Sequence, residues 1–470
     1  METTCVIQKP QKKQKLNEED DIDGNRKCLG NLPEEILRHI ISFLPTKGAV
    51  KTSVLCKRWE YLWTSIPNLD FDLLRLSPAE RKRKRTLFMN FVDRVLCLRD
   101  SPVLKRFTVR FDVLSDASRV NAWISDVIRH NVEELYIQLV KFKGESSLPH
   151  CLFTCKTLTS LRLDMPYILK LPTTICFSNL KILAMKSVTF SDEHLIYRFF
   201  SALTVLEKLE LYGCSWGDLK VVGIYLPKLH SLSIREFEES YGDDCMVIIL
   251  GNSLKEFYYK GLMFSKYGFY EPVKMKMAHI DIKANRKSDQ ITHNRYKKLL
   301  TQFSNVESLR ISSEILKYAT KVPPHMPLYN NLVELVFFYS SVDLDCEAVL
   351  NLLQGSPCLQ NLEFWGGIRL SSNCEQDDWI FDSVPSCFLS HLNRIKVGRY
   401  HGSKEELSAV KILLKNSVVL KEMVITCKEY FAMYVEEQDH FTWNLEKQEN
   451  QYKQLIELSR GSKNCKIVFL

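Results

Sequence analysis

The fifteen cysteines and eleven histidines are the residues to test first for chemistry. A zinc site needs four ligands, normally in two closely spaced pairs. No Cys-x-x-Cys pair occurs in the chain. His150, Cys151 and Cys155 come nearest to a metal cluster, and a second ligand pair at usable spacing is missing. The cysteines therefore read as small buried residues of a protein kept in a reducing compartment. A nucleophile needs a base within reach, and no histidine shows a motif-grade pairing with one. The chain holds no P-loop, no Gly-x-Ser-x-Gly and no His-Glu-x-x-His. No catalytic residue, metal or cofactor is expected. The chemistry that remains is non-covalent recognition, which depends on how tyrosine, tryptophan and arginine side chains are presented.

Those side chains must be positioned by regular elements, and a repeating one is visible. The template L-x-x-L-x-L, with other large apolar residues allowed, fits at starts Leu104, Val132, Leu158, Leu180, Leu206, Leu229, Leu254, Met277, Val306, Leu332, Leu359, Leu392 and Leu420. Successive starts lie 22 to 33 residues apart. Helical patterns precede several of them: Arg119–His130, Asp192–Ala202, Cys346–Gln354 and Ser403–Lys415, the last opening on a Ser-Lys-Glu-Glu capping box. A strand plus a helix or loop per unit predicts a leucine-rich-repeat solenoid, in which stacked neighbours bury what one unit cannot. Cys214 is the clearest occupant of the Asn/Cys position after the strand, and unit boundaries between Gly251 and Val306 are weak.

Side chains alternate along a strand, so residues between the apolar positions face the concave side. Those places hold Tyr136, Arg162, Lys186, Glu210, Tyr212, Arg235, Tyr258, Lys260, Arg310, Phe338 and Trp365. Of these, Tyr136, Arg162, Tyr212, Arg235, Tyr258, Arg310, Phe338 and Trp365 are the candidate contacts for a protein partner. A solvated strand face is the plainer alternative. The basic members also suit a phosphorylated partner or a small polyanion.

The N-terminus is organised differently. Residues 1–27 run from a basic block to an acidic one with little to bury, the pattern of a disordered tail. Pro33 suits a first helical position, and Glu34 and Glu35 favour a helix N-terminus. Ile36, Ile40 and Phe43/Leu44 recur at helical spacing with Leu37 and Ile41 beside them, and Pro45 stops the helix. Further short helices are predicted over Lys47–Val54 and Lys57–Trp63. The apolar arc is wider than one buried face needs, so part of it is expected to meet something else. After this module, the RKRKR run at 81–85 reads as a nuclear-import or anion-contact segment, or as the solvated face of a helix; the apolar spacing that follows it favours the helix.

Composition is that of an ordinary folded protein, 45% apolar and 26% charged, with net charge +8 and no basic stripe calling for nucleic acid. Residues 1–28 are polar, so no signal peptide is expected, and no run of about 18 apolar residues predicts a membrane span. Location is expected in cytoplasm or nucleus, with RKRKR tilting to the nucleus.

The stretch LPEEILRHIISFLPTKGAVKTSVLCKRWEYLWTSIPNLDFD resembles an F-box of the large plant F-box/LRR families, through Leu-Pro at 32–33, Leu44-Pro45 and Lys57-Arg58-Trp59. LTVLEKLELYGC and SPCLQNLEFWG resemble the repeats of that family, and Val384–Cys427 with the late RGSKNCKIVFL is similar to its FBD domain. The resemblance implies an α/β chain: a disordered tail over 1–27, a small all-α three-helix F-box over 28–75, a helical linker over 76–103, irregular leucine-rich repeats over 104–380 and an FBD module over 381–470, with SSNCEQDDW as the junction. It implies docking on a Skp-type adaptor and, through it, a cullin scaffold of a ubiquitin ligase, with Leu32, Pro33, Ile36, Ile40, Leu44, Pro45, Val54 and Trp59 in contact or support. The repeats would then choose a protein substrate, and proximity rather than local catalysis would be this chain's contribution. A non-catalytic interaction scaffold uncoupled from any cullin is the alternative.

Overall fold

The computed structural model describes residues 32–142, 148–237, 245–262, 265–269, 274–282, 295, 298–316, 327–370, 383–427 and 445–470. The tail over 1–27 and the junction SSNCEQDDW lie outside the described residues. Two compact units are formed, up to Ile66 and from Pro67 onward.

In the first unit, helix α1 covers Glu34–Ser42 and α2 covers Thr46–Lys51, followed by 3-10 turns at Thr52–Val54, Lys57–Trp59 and Leu62–Ser65. Pro33 and Pro45 each sit one place before a helix, in extended backbone, rather than at the first helical position. The third helix expected over Lys57–Trp63 is replaced by the two short turns. Side-chain hydroxyls reaching back to the backbone explain this: Thr64 Oγ1 donates to the Tyr61 carbonyl, and Ser65 Oγ to that of Leu62. Leu37, Ile41, Ala49, Trp59, Leu62, Trp63 and Ile66 are buried.

The second unit is built on strands. Along the chain they are β1 (Asn68–Asp72), β2 (Arg106–Leu114), β3 (Glu134–Phe142), β4 (Ser160–Asp164), β5 (Ile182–Lys186), β6 (Lys208–Tyr212), β7 (Val221–Tyr225), β8 (Ser231–Arg235), β9 (Met246–Leu250) and β10 (Glu256–Gly261). Then follow β11 (Lys266–Phe269), β12 (Met277–Ile282), β13 (Ser308–Ser312), β14 (Glu334–Phe338), β15 (Val342–Asp343), β16 (Asn361–Phe364), β17 (Ile368–Arg369), β18 (Arg394–Val397), β19 (Glu422–Ile425) and β20 (Lys466–Phe469). Fifteen of them form one sheet in the order β1-β2-β3-β4-β5-β6-β8-β10-β12-β13-β14-β16-β18-β19-β20. All its pairings are parallel, the ladder a solenoid requires. One apolar residue per unit falls in a continuous buried row: Leu209 against Leu232, Leu232 against Phe257, Phe257 against Ala278, Ala278 against Leu309 and Leu309 against Leu335.

The register corrects three expectations. Leu254 is equivalent to Met275, so the template start lies two residues before Met277; Met275 is buried, and Met277 is on the open face. The ladder begins at β1, inside the segment expected to belong to the three-helix module, because Leu69 and Phe71 alternate into the core beside Phe107 and Val109. The stretch expected as a helical linker does hold a helix, α3 (Pro78–Cys97), which starts on a Ser77/Glu80 capping box. It packs Phe88 on Phe111 of β2, so it is an outer element of the second unit's ladder and not a connector. Residues 383–427 and 445–470 continue the same sheet through β18, β19 and β20.

The expected helices form over Ala117–Arg129 (α4), Glu193–Ser201, Glu347–Gln354 and Lys404–Asn416, the last with its Ser403/Glu406 box. Helix-then-strand is not the rule throughout. Between β6 and β12 the outer layer is a second parallel sheet, β11-β9-β7. VVGIY and MVIIL are rich in β-branched residues, which favour strand over helix.

Past β6 the chain turns through Gly213 at φ +58°, where a Cβ would lie 2.1 Å from Cδ2 of the Phe237 ring. Gly213→Ala should therefore lower stability by about 1–3 kcal/mol, read as a lower urea midpoint with the slope unchanged. A midpoint equal to wild type would show that the Phe237 ring moves aside freely.

Candidate functional site

Two surfaces present residue types suited to recognition, one in each unit. In the first unit, α1 has two adjacent apolar stripes. Leu37, Ile41 and Leu44 form one, with the first two wholly buried and Leu44 38% exposed. Ile36, Ile40 and Phe43 form the other, at the same spacing of four and three, and turn outward: Ile36 is 45% and Phe43 74% exposed. Val54 and Leu55, on the turn after α2, are 84% and 65% exposed. Pro33 and Pro45 are exposed, and Leu32 and Ile40 are partly covered.

The Lys57-Arg58-Trp59 signature works from the other side. Trp59 is buried, so among the eight predicted residues it serves the core. Arg58 Nη2 donates to the Leu32 carbonyl at 2.5 Å and ties down the entry to α1. Trp63 Nε1 donates to the Glu60 carbonyl at 3.0 Å. Cys56 is exposed, just before the turn.

In the second unit the open strand face presents parallel rows of side chains. The register sets Tyr136 beside Arg162, then Ala184, Glu210, Ser233, Tyr258, His279, Arg310, Val336 and Glu363 in one row. The next row holds Asp164, Lys186, Tyr212, Arg235 and Lys260. Most charges on this face are paired. Lys186 meets Asp164 at 3.0 Å, Lys208 meets Glu210 at 2.5 Å and Arg310 meets Glu334 at 3.1 Å.

Around β10 to β16 the rows converge on an aromatic cluster. His279 stacks on Phe338 at 4.6 Å between centroids and lies 6.1 Å from Tyr258. Phe338 also meets Tyr339 edge-on at 4.9 Å and Trp365 at 6.5 Å, and the Arg310 guanidinium lies 5.9 Å over the Trp365 ring. Beside it Lys260 Nζ is 2.6 Å from Asp281 Oδ2 and donates to the Tyr339 hydroxyl at 2.9 Å, which donates to the same carboxylate oxygen at 2.7 Å. Burial pulls the Lys260 ammonium down, but its bonds to Asp281 and Tyr339 prevail and hold it above its usual range. Tyr339 has φ +77°, a left-handed conformation unusual for a non-glycine, at the end of β14.

Comparison with known proteins fits this arrangement. An F-box domain family model matches residues 29–71, and a model described as "At1g61320/AtMIF1, LRR domain" matches residues 101–448. An Arabidopsis thaliana F-box/FBD/LRR-repeat protein is 28% identical over 94% of this chain and 99% of its own length. A putative FBD-associated F-box protein of the same plant is 30% identical over 85% of this chain and 81% of its own, and a putative F-box protein 31% identical over 75% and 76%. The chain belongs to the F-box/FBD/LRR-repeat protein family.

For this F-box/FBD/LRR-repeat chain the structure sorts the predicted strand-face residues. Tyr258, Arg310, Phe338 and Trp365 are brought together, while Tyr136, Arg162, Tyr212 and Arg235 lie on the earlier strands. Phe338 is fully buried, because His279, Tyr339 and Trp365 surround its ring, so it supports the cluster and offers no surface of its own. Glu210 is likewise buried. Sequence reasoning missed His279, Asp281 and Tyr339. The two-residue slip at Met277 preserved inward and outward parity but moved His279 out of the row of Tyr258 and Arg310. Cys214 does occupy the turn: its Sγ is 3.3 Å from the Met185 carbonyl, and burial pushes the thiol up to about 12.

The RKRKR run is only partly solvated. Arg81 Nη1 meets Asp112 at 3.1 Å, and Arg85 binds the Val113 carbonyl and Asp116, while Lys82 and Arg83 are exposed. Among the described residues no group of three His, Cys, Asp or Glu could hold a metal ion, and no helix is long and apolar enough to cross a membrane.

Burial pushes the His279 imidazole down to about 4, with Asp281 opposing and the Arg310 and Lys260 cations adding to the fall. The ring is therefore neutral at neutral pH. The unfolded chain, titrating near 6.5, binds the proton first, so this stabilisation is complete above about 6.5 and fades as pH falls toward 4. Moving from pH 7 to pH 5 should cost about 2 kcal/mol through this ring. Urea unfolding of His279→Phe should show that part of the pH dependence gone; an unchanged pH profile would assign it elsewhere.

Proposed function

We propose that this chain is the substrate-recognition subunit of a Skp–cullin–F-box ubiquitin ligase. F-box/LRR proteins generally act as substrate adaptors of that kind. The observation that carries the reading is the outward stripe Ile36, Ile40 and Phe43, with Val54 and Leu55, on the unit matched by the F-box family model. A unit this small has no internal use for so much exposed apolar surface, which is the signature of a partner interface. Leu32, Pro33, Ile36, Ile40, Leu44, Pro45 and Val54 dock the adaptor, and Trp59 supports them from beneath. Burying one exposed aliphatic side chain is worth about 1.5–3 kcal/mol, so two or three suffice as hot spots.

The repeats present the target. Transfer chemistry belongs to the partner subunits, and this chain holds the substrate near them. The partly exposed members of the aromatic cluster, Tyr258, Arg310 and Trp365, join Tyr136, Arg162, Tyr212 and Arg235 as the contacts for a protein substrate. Those residue types dominate protein interfaces.

The test is capture of a purified Skp-type adaptor and cullin by the intact chain. Ile36→Asp with Val54→Asp should weaken adaptor binding at least about 30-fold with the far-UV spectrum unchanged; Leu32→Ala with Pro33→Ala should weaken it in the same direction. Trp59→Ala should lose binding together with the fold of the first unit. Wild-type affinity in the Ile36/Val54 variant would refute the docking assignment. Capture of adaptor without cullin would favour a scaffold uncoupled from ligation.

A further inference from the structure

The open face has an uneven charge balance. On β2 to β10, Arg106, Arg110, Lys186, Lys208 and Lys260 each have a carboxylate partner: Glu134, Asp72, Asp164, Glu210 and Asp281. Arg162 and Arg235 are exposed and form no direct ion pair among the described residues; Arg162 acts only at longer range on Glu134, which Arg106 already holds. Both flank one residue. The Arg235 guanidinium lies 5.4 Å over the Tyr212 ring, and both guanidiniums act electrostatically on the Tyr212 hydroxyl. Burial raises that hydroxyl above its usual range and Glu210 adds to the rise, while Arg235 and Arg162 oppose it. Glu210, which acts on the same hydroxyl, is already paired with Lys208. Between Arg162 and Glu210 the row carries only Ala184, and beyond Glu210 only Ser233. The neighbourhood holds five cations, Arg106, Arg162, Lys186, Lys208 and Arg235, against three carboxylates, Glu134, Asp164 and Glu210, and so carries an excess of positive charge.

Toward the C-terminal side the face changes from cationic to aromatic. Tyr258, His279 and Trp365 line the shelf there. From Tyr212 on β6 to the middle of the shelf at β13 are four strand spacings, about 19 Å, or about six residues of extended chain.

We propose that this face binds an extended acidic segment of a protein: Arg162 and Arg235 hold carboxylates on either side of the Tyr212 hydroxyl, and an aromatic side chain about six positions further on lies against Tyr258, His279 and Trp365. This deepens the reading that the repeats take a protein target and rests on it. Charge-assisted guanidinium–carboxylate bonds supply selectivity for acid. The aromatic shelf supplies desolvated contact area, and Arg310 over Trp365 keeps its indole in place.

The probe is a fluorescein-labelled Gly/Ser peptide with adjacent glutamates and a tryptophan about six positions on, titrated with the full chain and read by anisotropy. Binding should weaken as salt rises. Replacing the glutamates with lysines should abolish it, and replacing the tryptophan with serine should weaken it. Arg162→Ala or Arg235→Ala should each weaken it about 10-fold or more, with Arg235→Lys less affected. Both arginines are exposed, so the variants keep the fold, and unchanged unfolding curves would verify it. Equal binding of the lysine peptide, or arginine variants within about twofold of wild type, would overturn the proposal. Adaptor capture is measured on the same samples. Capture without peptide binding overturns the acidic-segment inference alone; peptide binding without capture removes the ligase reading and leaves the inference standing as a property of this face.

Discussion

Each unit after Pro67 depends on its neighbours through a parallel strand that cannot bury its own apolar edge. The fixed register of that ladder is the constraint from which the rest follows. Leu209, Leu232, Phe257, Ala278, Leu309 and Leu335 are buried only because each lies beside the next. A slip of one residue would turn this whole row to solvent and bring charged residues such as Lys208 and Glu256 inward. Burial of each large aliphatic member is worth about 1.5–3 kcal/mol, so the penalty for a slip grows with every unit.

The same register composes the open strand face. Side chains that are 22 to 33 residues apart in sequence become immediate neighbours, because equivalent positions of successive units are one strand spacing apart. Arg106 finds Glu134, Arg310 finds Glu334 and Arg394 finds Glu422 in this way, each pair in direct register or one row away. These exposed pairs contribute little to stability. Their effect is to remove most charges from play, which leaves Arg162 and Arg235 as the unpaired cations on the described part of β2 to β10. The aromatic cluster has the same origin: Tyr258 and His279 share a row, and Phe338 comes from two units later.

The first unit meets a different constraint. It is too small to hide a wide apolar helix, and α1 divides its surface between two stripes. Leu37 and Ile41 serve the interior, where they join Trp59 and Trp63. Ile36 and Phe43 are left exposed. Arg58, on the turn that buries Trp59, also binds the Leu32 carbonyl at the start of the helix, so one signature fixes both the core and the edge of the outward surface.

Much was legible without coordinates. The F-box signature, the strand repeat, the four amphipathic helices and the capping box at Ser403 are local patterns, set by periodicity and by side-chain to backbone bonding. Tyrosine, tryptophan and arginine on alternate strand positions were enough to nominate the open face. Only tertiary structure decided which of those residues are usable. Phe338 looks like a contact and is a buried support, because rings from two other units, His279 and Trp365, cover it together with its neighbour Tyr339. Arg162 and Arg235 differ from Lys186 and Lys260 in that the carboxylates one row away across the ladder, Glu134 and Glu210, already pair with Arg106 and Lys208, which no local pattern encodes. The outer sheet of β7, β9 and β11 was hidden because short apolar runs do not distinguish strand from helix. The sequence by itself determined the kinds of element and their order; the register, a property of paired strands, decided which side chains meet.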